Sequence, residues 1–148
     1  MCTLNDIISE MKSNKSMKEI LEILEKYNSD DWEEYESFSH LSYKKNLVYR
    51  DENYEMFVVC WKPRQETYIH NHSDNGCIFK VLEGELSEHK YNEETLNLLE
   101  SNNLSKKSTG YIDNEIGVHK MINESQKENC ISLHIYSPPN FVATLFKV

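Results

Sequence analysis

A chain of 148 residues with 25 acidic and 16 basic side chains, a formal net charge of −9, has no evident basic face for a phosphate backbone, so no nucleic-acid partner is expected. No apolar run approaches the roughly 20 residues that cross a bilayer, and Met1-Cys2-Thr3-Leu4-Asn5-Asp6 lacks the charged and apolar regions of a signal peptide, so a cytoplasmic location with no membrane contact is expected. Cys2, Cys60, Cys77 and Cys130 have no metal-finger spacing, and in a reducing compartment they do not read as a disulfide framework.

The length predicts one domain, residues 1–148, with a helical segment at 1–38 and a β-barrel at 41–148. From Thr3 to Tyr27 apolar residues recur at helical spacing, Leu4, Ile7, Ile8 and Met11 in one group and Met17, Ile20, Leu21, Ile23 and Leu24 in another. Two short helices follow from this, the second opened by a Ser16/Glu19 capping box, and Asn28-Ser29-Asp30 leads into a further turn at Trp32 to Tyr35. Beyond Leu41 alternating and β-branched runs predict strands at 46–49, 54–61, 77–82, 85–91, 110–112, 117–122, 130–136 and 142–146. Turn chemistry separates them at Arg50-Asp51-Glu52-Asn53, Glu83-Gly84 and Asn92-Glu93, and the polar run 97–108 reads as a surface connection. Many short strands predict a mainly β fold, a small sandwich or barrel with two or three N-terminal helices.

The chemistry concentrates in Ile69-His70-Asn71-His72-Ser73-Asp74-Asn75-Gly76-Cys77. Two imidazoles two residues apart in β structure point to one side and can share a metal ion. Cys77 follows five residues after His72, and a returning strand could bring either His119 or His134 beside the pair. His40 and His89 read as surface residues, and Cys60 and Cys130 as core thiols.

The H-x-H pair, the closing Gly84 and His119-Lys120-Met121-Ile122-Asn123 resemble the two motifs of the cupin superfamily. Where a cupin usually has a glutamate ligand after H-x-H, this chain has Cys77. With Cys60-Trp61, Lys80-Val81-Leu82-Glu83-Gly84 and Ser132-Leu133-His134-Ile135-Tyr136-Ser137-Pro138-Pro139, the pattern resembles the cysteine dioxygenase family of thiol dioxygenases from about Tyr43 to Pro139. H-x-H alone is a weak signal, whereas these motifs in this order are a strong one.

The resemblance implies a small cupin barrel, jelly-roll-like, and ferrous iron held by a neutral triad of His70, His72 and His119. It implies that a small thiol substrate, L-cysteine first, reacts with O2 to give a sulfinate; separately, a monomer is expected. The resemblance gives Tyr136 the role of hydrogen-bond donor over the oxygen site, with His134 and Ser132 holding it. Members of the family can also carry a thioether between the counterparts of Cys77 and Tyr136, and both residues are present here. Ser137-Pro138 is a cis peptide by the same resemblance.

One position departs from the family. Its carboxylate clamp is an arginine two residues after a tyrosine, and Tyr43-Lys44-Lys45 has Lys45 there, a point charge in place of a planar fork. Lys45 reads equally as a solvent-facing strand residue, with Arg50 or Arg64 reaching the pocket instead. Another thiol such as 3-mercaptopropionate is therefore an alternative substrate. A metal-binding or ligand-sensing cupin without turnover is another reading, favoured by Lys45 and by a short run after Pro139 that leaves the pocket less covered. A zinc hydrolase ranks below these, because no general base stands beside the motif.

Overall fold

Thr3 and Ser16 begin the first two elements in the same way. Each hydroxyl accepts from the backbone N–H three residues on, and the side chains of Asp6 and Glu19 accept from the backbone N–H of Thr3 and Ser16 in return. The Thr3 box escaped the sequence reading because its third residue is the shorter aspartate. The computed structural model describes residues 1–147, and Val148 of the expected 41–148 segment lies outside them. It contains α1 (Leu4–Lys12), α2 (Met17–Lys26) and a 3-10 turn at Asp31–Tyr35.

Ten strands follow: β1 (Lys44–Arg50), β2 (Glu55–Trp61), β3 (Ile69–His70), β4 (Cys77–Glu83), β5 (Leu86–Tyr91), β6 (Leu98–Leu104), β7 (Thr109–Ile112), β8 (Val118–Ile122), β9 (Cys130–Tyr136) and β10 (Leu145–Phe146). They form two five-stranded antiparallel sheets, β1-β2-β9-β4-β7 and β10-β3-β8-β5-β6. Among the described residues no strand pairing joins the two into a closed barrel. The polar run expected to be a surface connection contains β6, an edge strand whose backbone pairs with β5 while most of its side chains stay in water. The strand expected at 142–146 shrinks to two residues.

The first sheet is covered on both faces. Met56, Val58, Cys60, Ile78, Leu82, Ile131, Leu133 and Ile135 pack with Leu4, Ile7, Met11, Met17, Ile20 and Leu24 of the helices. Residues of the opposite parity, Phe57, Val59, Trp61, Cys77, Phe79, Val81 and Cys130, meet Leu86 and Met121 of the second sheet. Burying each of the six helix side chains contributes about 1.5–3 kcal/mol relative to leaving it exposed. Lys80 breaks the apolar pattern of β4 for a specific reason: its Nζ donates to the carbonyls of Leu24, Glu25 and Tyr27 at 3.1, 3.0 and 2.7 Å. These are carbonyls at the C-terminal end of α2, where a cation is favoured; that of Leu24 also accepts from the Tyr27 N–H.

The turn expected at Glu83-Gly84 is present, but it closes no hairpin: β4 pairs with β7 and β9 and β5 with β6 and β8, so the turn carries the chain from one sheet to the other. Gly84 has φ +72°, and a Cβ there would run into the Asn129 carbonyl. Ser137-Pro138 is cis. Among the described residues no helix is long and apolar enough to cross a membrane.

Candidate metal centre

His70 ends β3 directly opposite His119 of β8. His72 lies just past the strand, where the Asn114 side chain holds it by both backbone groups, accepting from its N–H and donating to its carbonyl at 2.9 Å each. The three rings thereby converge: centroids are 5.2 Å apart for His70 and His72, 4.7 Å for His70 and His119, and 4.4 Å for His72 and His119. One ring nitrogen of each lies within 4.8 Å of the others.

The hydrogen bonds around the rings assign their tautomers. The Tyr68 carbonyl can only accept, so the contact at 2.8 Å places a proton on Nδ1 of His70. His119 Nδ1 meets Glu88 Oε2 at 2.8 Å; burial raises the Glu88 carboxyl to about 7 against the pull of Lys90, and in its ionised form it likewise only accepts. The two Nε2 atoms, 3.1 Å apart, are then lone pairs aimed at one point. Among the described residues neither ring nitrogen of buried His72 has a hydrogen-bond partner. Burial keeps the three imidazoles neutral, with His72 held down to about 2 by desolvation and by its two histidine neighbours. Neutral, converging imidazoles with unshared lone pairs fit a divalent transition-metal ion. Neither Glu88 nor Glu55, described below, was found in the sequence. The available signal was parity, because Glu88 shares the core-facing side of β5 with buried Leu86.

Behind the rings lies a cavity of about 200 Å³. Tyr43, Lys45, His134 and Tyr136 line it with the triad, while Cys77 and Ser132 stand in the layer beneath. Strand β9 fixes their order. Tyr136 lies between Glu55 of β2 and Cys77 of β4, His134 between Phe57 and Phe79, and Ser132 between Val59 and Val81.

A directed chain of hydrogen bonds runs along this face. Trp61, at the end of β2, donates Nε1–H to Ser132 Oγ at 2.9 Å. The buried Ser132 hydroxyl accepts there, which leaves its own proton for His134 Nε2 at 2.8 Å. Burial keeps His134 neutral, so its remaining proton sits on Nδ1, facing Tyr136 Oη at 3.5 Å and Cys77 Sγ at 3.9 Å. The phenol proton of Tyr136 then has two directions open, the cavity and the neighbouring Cys77 sulfur. Burial, with Cys77 adding to it, raises the Tyr136 hydroxyl well above its ordinary value and keeps it protonated. Burial also pushes up the Cys77 thiol, against the pull of Lys45, so a thiolate ligand is disfavoured there.

Lys45 is not a plain surface lysine. Its stem is exposed, but its ammonium sits 4.4 Å from the Phe57 ring centroid and 4.7 Å from that of Tyr136. Desolvation lowers its pKa, and Glu55 opposes that shift. Arg50 reaches the pocket only at one remove, pairing Nη2 and Nε with Glu55 Oε1 at 2.9 and 3.0 Å. Arg64 does not line the cavity. Tyr43 stacks on Trp61 at 4.8 Å and 23°.

The expectation of a thinly covered pocket is overturned. Phe141, Ala143 and Leu145 line the cavity, and β10 pairs with β3 through Leu145 and His70. Asn71, between the two motif histidines, ties this segment down: its backbone N–H donates to the Thr144 carbonyl at 3.3 Å, and its Oδ1 accepts from the Thr144 N–H at 2.7 Å. Asn123 of the second motif braces the fold instead, donating to the carbonyls of Trp61 and Glu128.

Two facing antiparallel sheets with a histidine cluster at one end define the cupin, or double-stranded β-helix, class. Solved structures agree on the fold. A conserved protein with a double-stranded β-helix domain from Klebsiella pneumoniae is 21% identical with TM-score 0.65, over 82% of this chain and 97% of that one. A cupin protein from Desulfovibrio desulfuricans is 18% identical with TM-score 0.53, over 74% and 96%. The family described as cysteine dioxygenase type I matches residues 1–147, and the chain belongs to that family. Cysteine dioxygenase type 1 from Rattus norvegicus is 33% identical over 111 residues, and the Danio rerio protein is 32% identical. Each match covers 69% of this chain and 54% of the relative, so the chain spans about half the length of the relatives it matches.

Proposed function

We propose that this chain is a thiol dioxygenase that holds ferrous iron on His70, His72 and His119 and converts a small carboxylate-bearing thiol, L-cysteine foremost, to its sulfinate with O2. The observation that carries this reading is the position of the Lys45 ammonium on the wall of the same cavity as three converging neutral imidazoles. Ferrous iron bound there would activate O2 and lower the pKa of a bound thiol. Both atoms of O2 end on sulfur, so the thiolate and O2 balance to the sulfinate with no other reductant.

The protein's own contributions follow from the geometry. Lys45 binds the substrate carboxylate, and a charged hydrogen bond of this kind is worth about 1.5–3 kcal/mol. Tyr136, oriented through Trp61, Ser132 and His134, presents its hydroxyl proton towards the reacting end of the substrate. The segment Phe141 to Leu145 limits water entry. Cys77 and Tyr136 are cross-strand neighbours, an arrangement that supports a thioether fixing the phenol. The four free thiols suit a reducing, cytoplasmic compartment.

A single ammonium recognises a carboxylate without reference to the amine, and that observation favours 3-mercaptopropionate as the second substrate reading. Oxygen uptake by iron-loaded protein with L-cysteine, 3-mercaptopropionate and cysteamine separates them. Sulfinate formation from L-cysteine, with cysteamine poorest, is expected. Activity on 3-mercaptopropionate alone would reject the cysteine assignment, and uptake with none of the three would reject turnover.

A further inference from the structure

The three histidines are not equivalent. Nδ1 of His70 meets a neutral carbonyl, His72 has no hydrogen-bond partner among the described residues, and Nδ1 of His119 meets a carboxylate. Glu88 is itself buried, at 3% exposure, opposite the apolar Met121 of β8. Burying a carboxylate is costly unless it is paired, and Glu88 has only His119 at 2.8 Å and the Lys90 ammonium at 3.9 Å. Lys90 in turn pairs with Glu100 at 3.4 Å on the sheet edge.

We propose that Glu88 is a positioning residue for the metal centre: it accepts from His119 Nδ1–H, fixes the ring with Nε2 bare and places a carboxylate behind it, giving an all-histidine triad a carboxylate's influence at one remove. His119 is therefore the strongest donor of the three, and the Lys90 ammonium stands beside Glu88 at 3.9 Å. This inference rests on the reading of the triad as a metal site. A partner behind a metal-bound histidine raises its basicity, and loss of such a partner typically costs 10–100-fold in metal affinity.

The test is ferrous-iron binding to the metal-free protein under anaerobic conditions, by competition with a chromophoric chelator, with cobalt(II) as a spectroscopic probe. Glu88→Gln keeps the size and an acceptor oxygen but removes the charge. Its affinity for both ions is expected to fall by roughly 10–100-fold, with a shifted cobalt absorption band and an unchanged metal-free melting temperature. Wild-type protein that binds and Glu88→Gln that binds equally well would overturn the role of Glu88 alone. Wild-type protein that binds neither ion would overturn the metal reading and this inference with it. A second measurement needs no variant: the imidazole nitrogen NMR spectrum of metal-free wild-type protein should show His119 protonated at Nδ1. Protonation at Nε2 would overturn the proposal even if the variant failed to fold.

Discussion

The two sheets face one cavity but are built differently. The sheet β1-β2-β9-β4-β7 is packed by helices on one face and by the other sheet on the opposite face, and it carries Lys45, Cys77, Ser132, His134 and Tyr136. The sheet β10-β3-β8-β5-β6 ends in a largely exposed strand and carries His70 and His119, with the third candidate ligand, His72, just past β3. Among the described residues no helix belongs to the core cluster that holds its Leu86 and Met121. Rigidity reaches the two halves by different routes. Apolar packing on both faces holds the tyrosine relay, whereas discrete polar ties hold the histidines: Glu88 for His119, Tyr68 for His70 and Asn114 for His72. Substitutions in one sheet should therefore abolish metal binding, and those in the other should spare it.

The largest effect is expected from His119→Ala. Metal analysis should find the ion lost, and oxygen uptake should fall by about 10³-fold or more, since Lewis-acid stabilisation is worth several kcal/mol. Tyr136→Phe, from the helix-backed sheet, should retain the metal while kcat falls roughly 10²-fold. Its intact mass should also never show the loss of two hydrogens that marks a thioether. A Tyr136→Phe protein without metal would erase the distinction between the sheets.

Lys45→Ala should act on binding. KM for carboxylate-bearing thiols is expected to rise about 10–100-fold, the equivalent of a charged hydrogen bond, with little change for cysteamine. The pH dependence has a defined sign. Lysine is charged below its pKa, and burial lowers that of Lys45, so carboxylate affinity should weaken as pH rises through a value below the ordinary lysine range. Lys45→Arg stays charged throughout and should remove this loss. A pH profile identical in the two proteins would show that another group binds the carboxylate.

The same contrast explains how much was legible. Strand β9 was read with its true ends, 130–136, and the helices by their apolar stripes, because a sheet covered on both faces has near-continuous hydrophobic strands. Strand β6 was missed because an edge strand in water needs only backbone pairing, so Glu100-Ser101-Asn102-Asn103 looks like a loop. The triad, Cys77 and Tyr136 were readable as an ordered motif, but Glu88 and Glu55 were not. A single acidic residue in a strand resembles any solvent-facing one until register sets it against a histidine or an arginine. Lys45 was half-read: its position was known, but the aromatic rings that hold its ammonium inward belong to β2 and β9, distant in sequence.

The smallest effect tests the support beneath the relay. Lys80 lies on β4 beside Phe79 and Val81 but points the other way, closing the end of α2 with three hydrogen bonds. Lys80→Met keeps the apolar stem and removes the ammonium and its three hydrogen bonds. The expected cost is about 1–3 kcal/mol, which for a domain of this size lowers Tm by about 2–10 °C. Because the helices touch only the outer face of the sheet, metal affinity and KM should not move at temperatures where the variant is folded. Equal losses of stability and metal affinity would mean that the helix-backed sheet also holds the histidines in place, and that the two halves of the site are mechanically one.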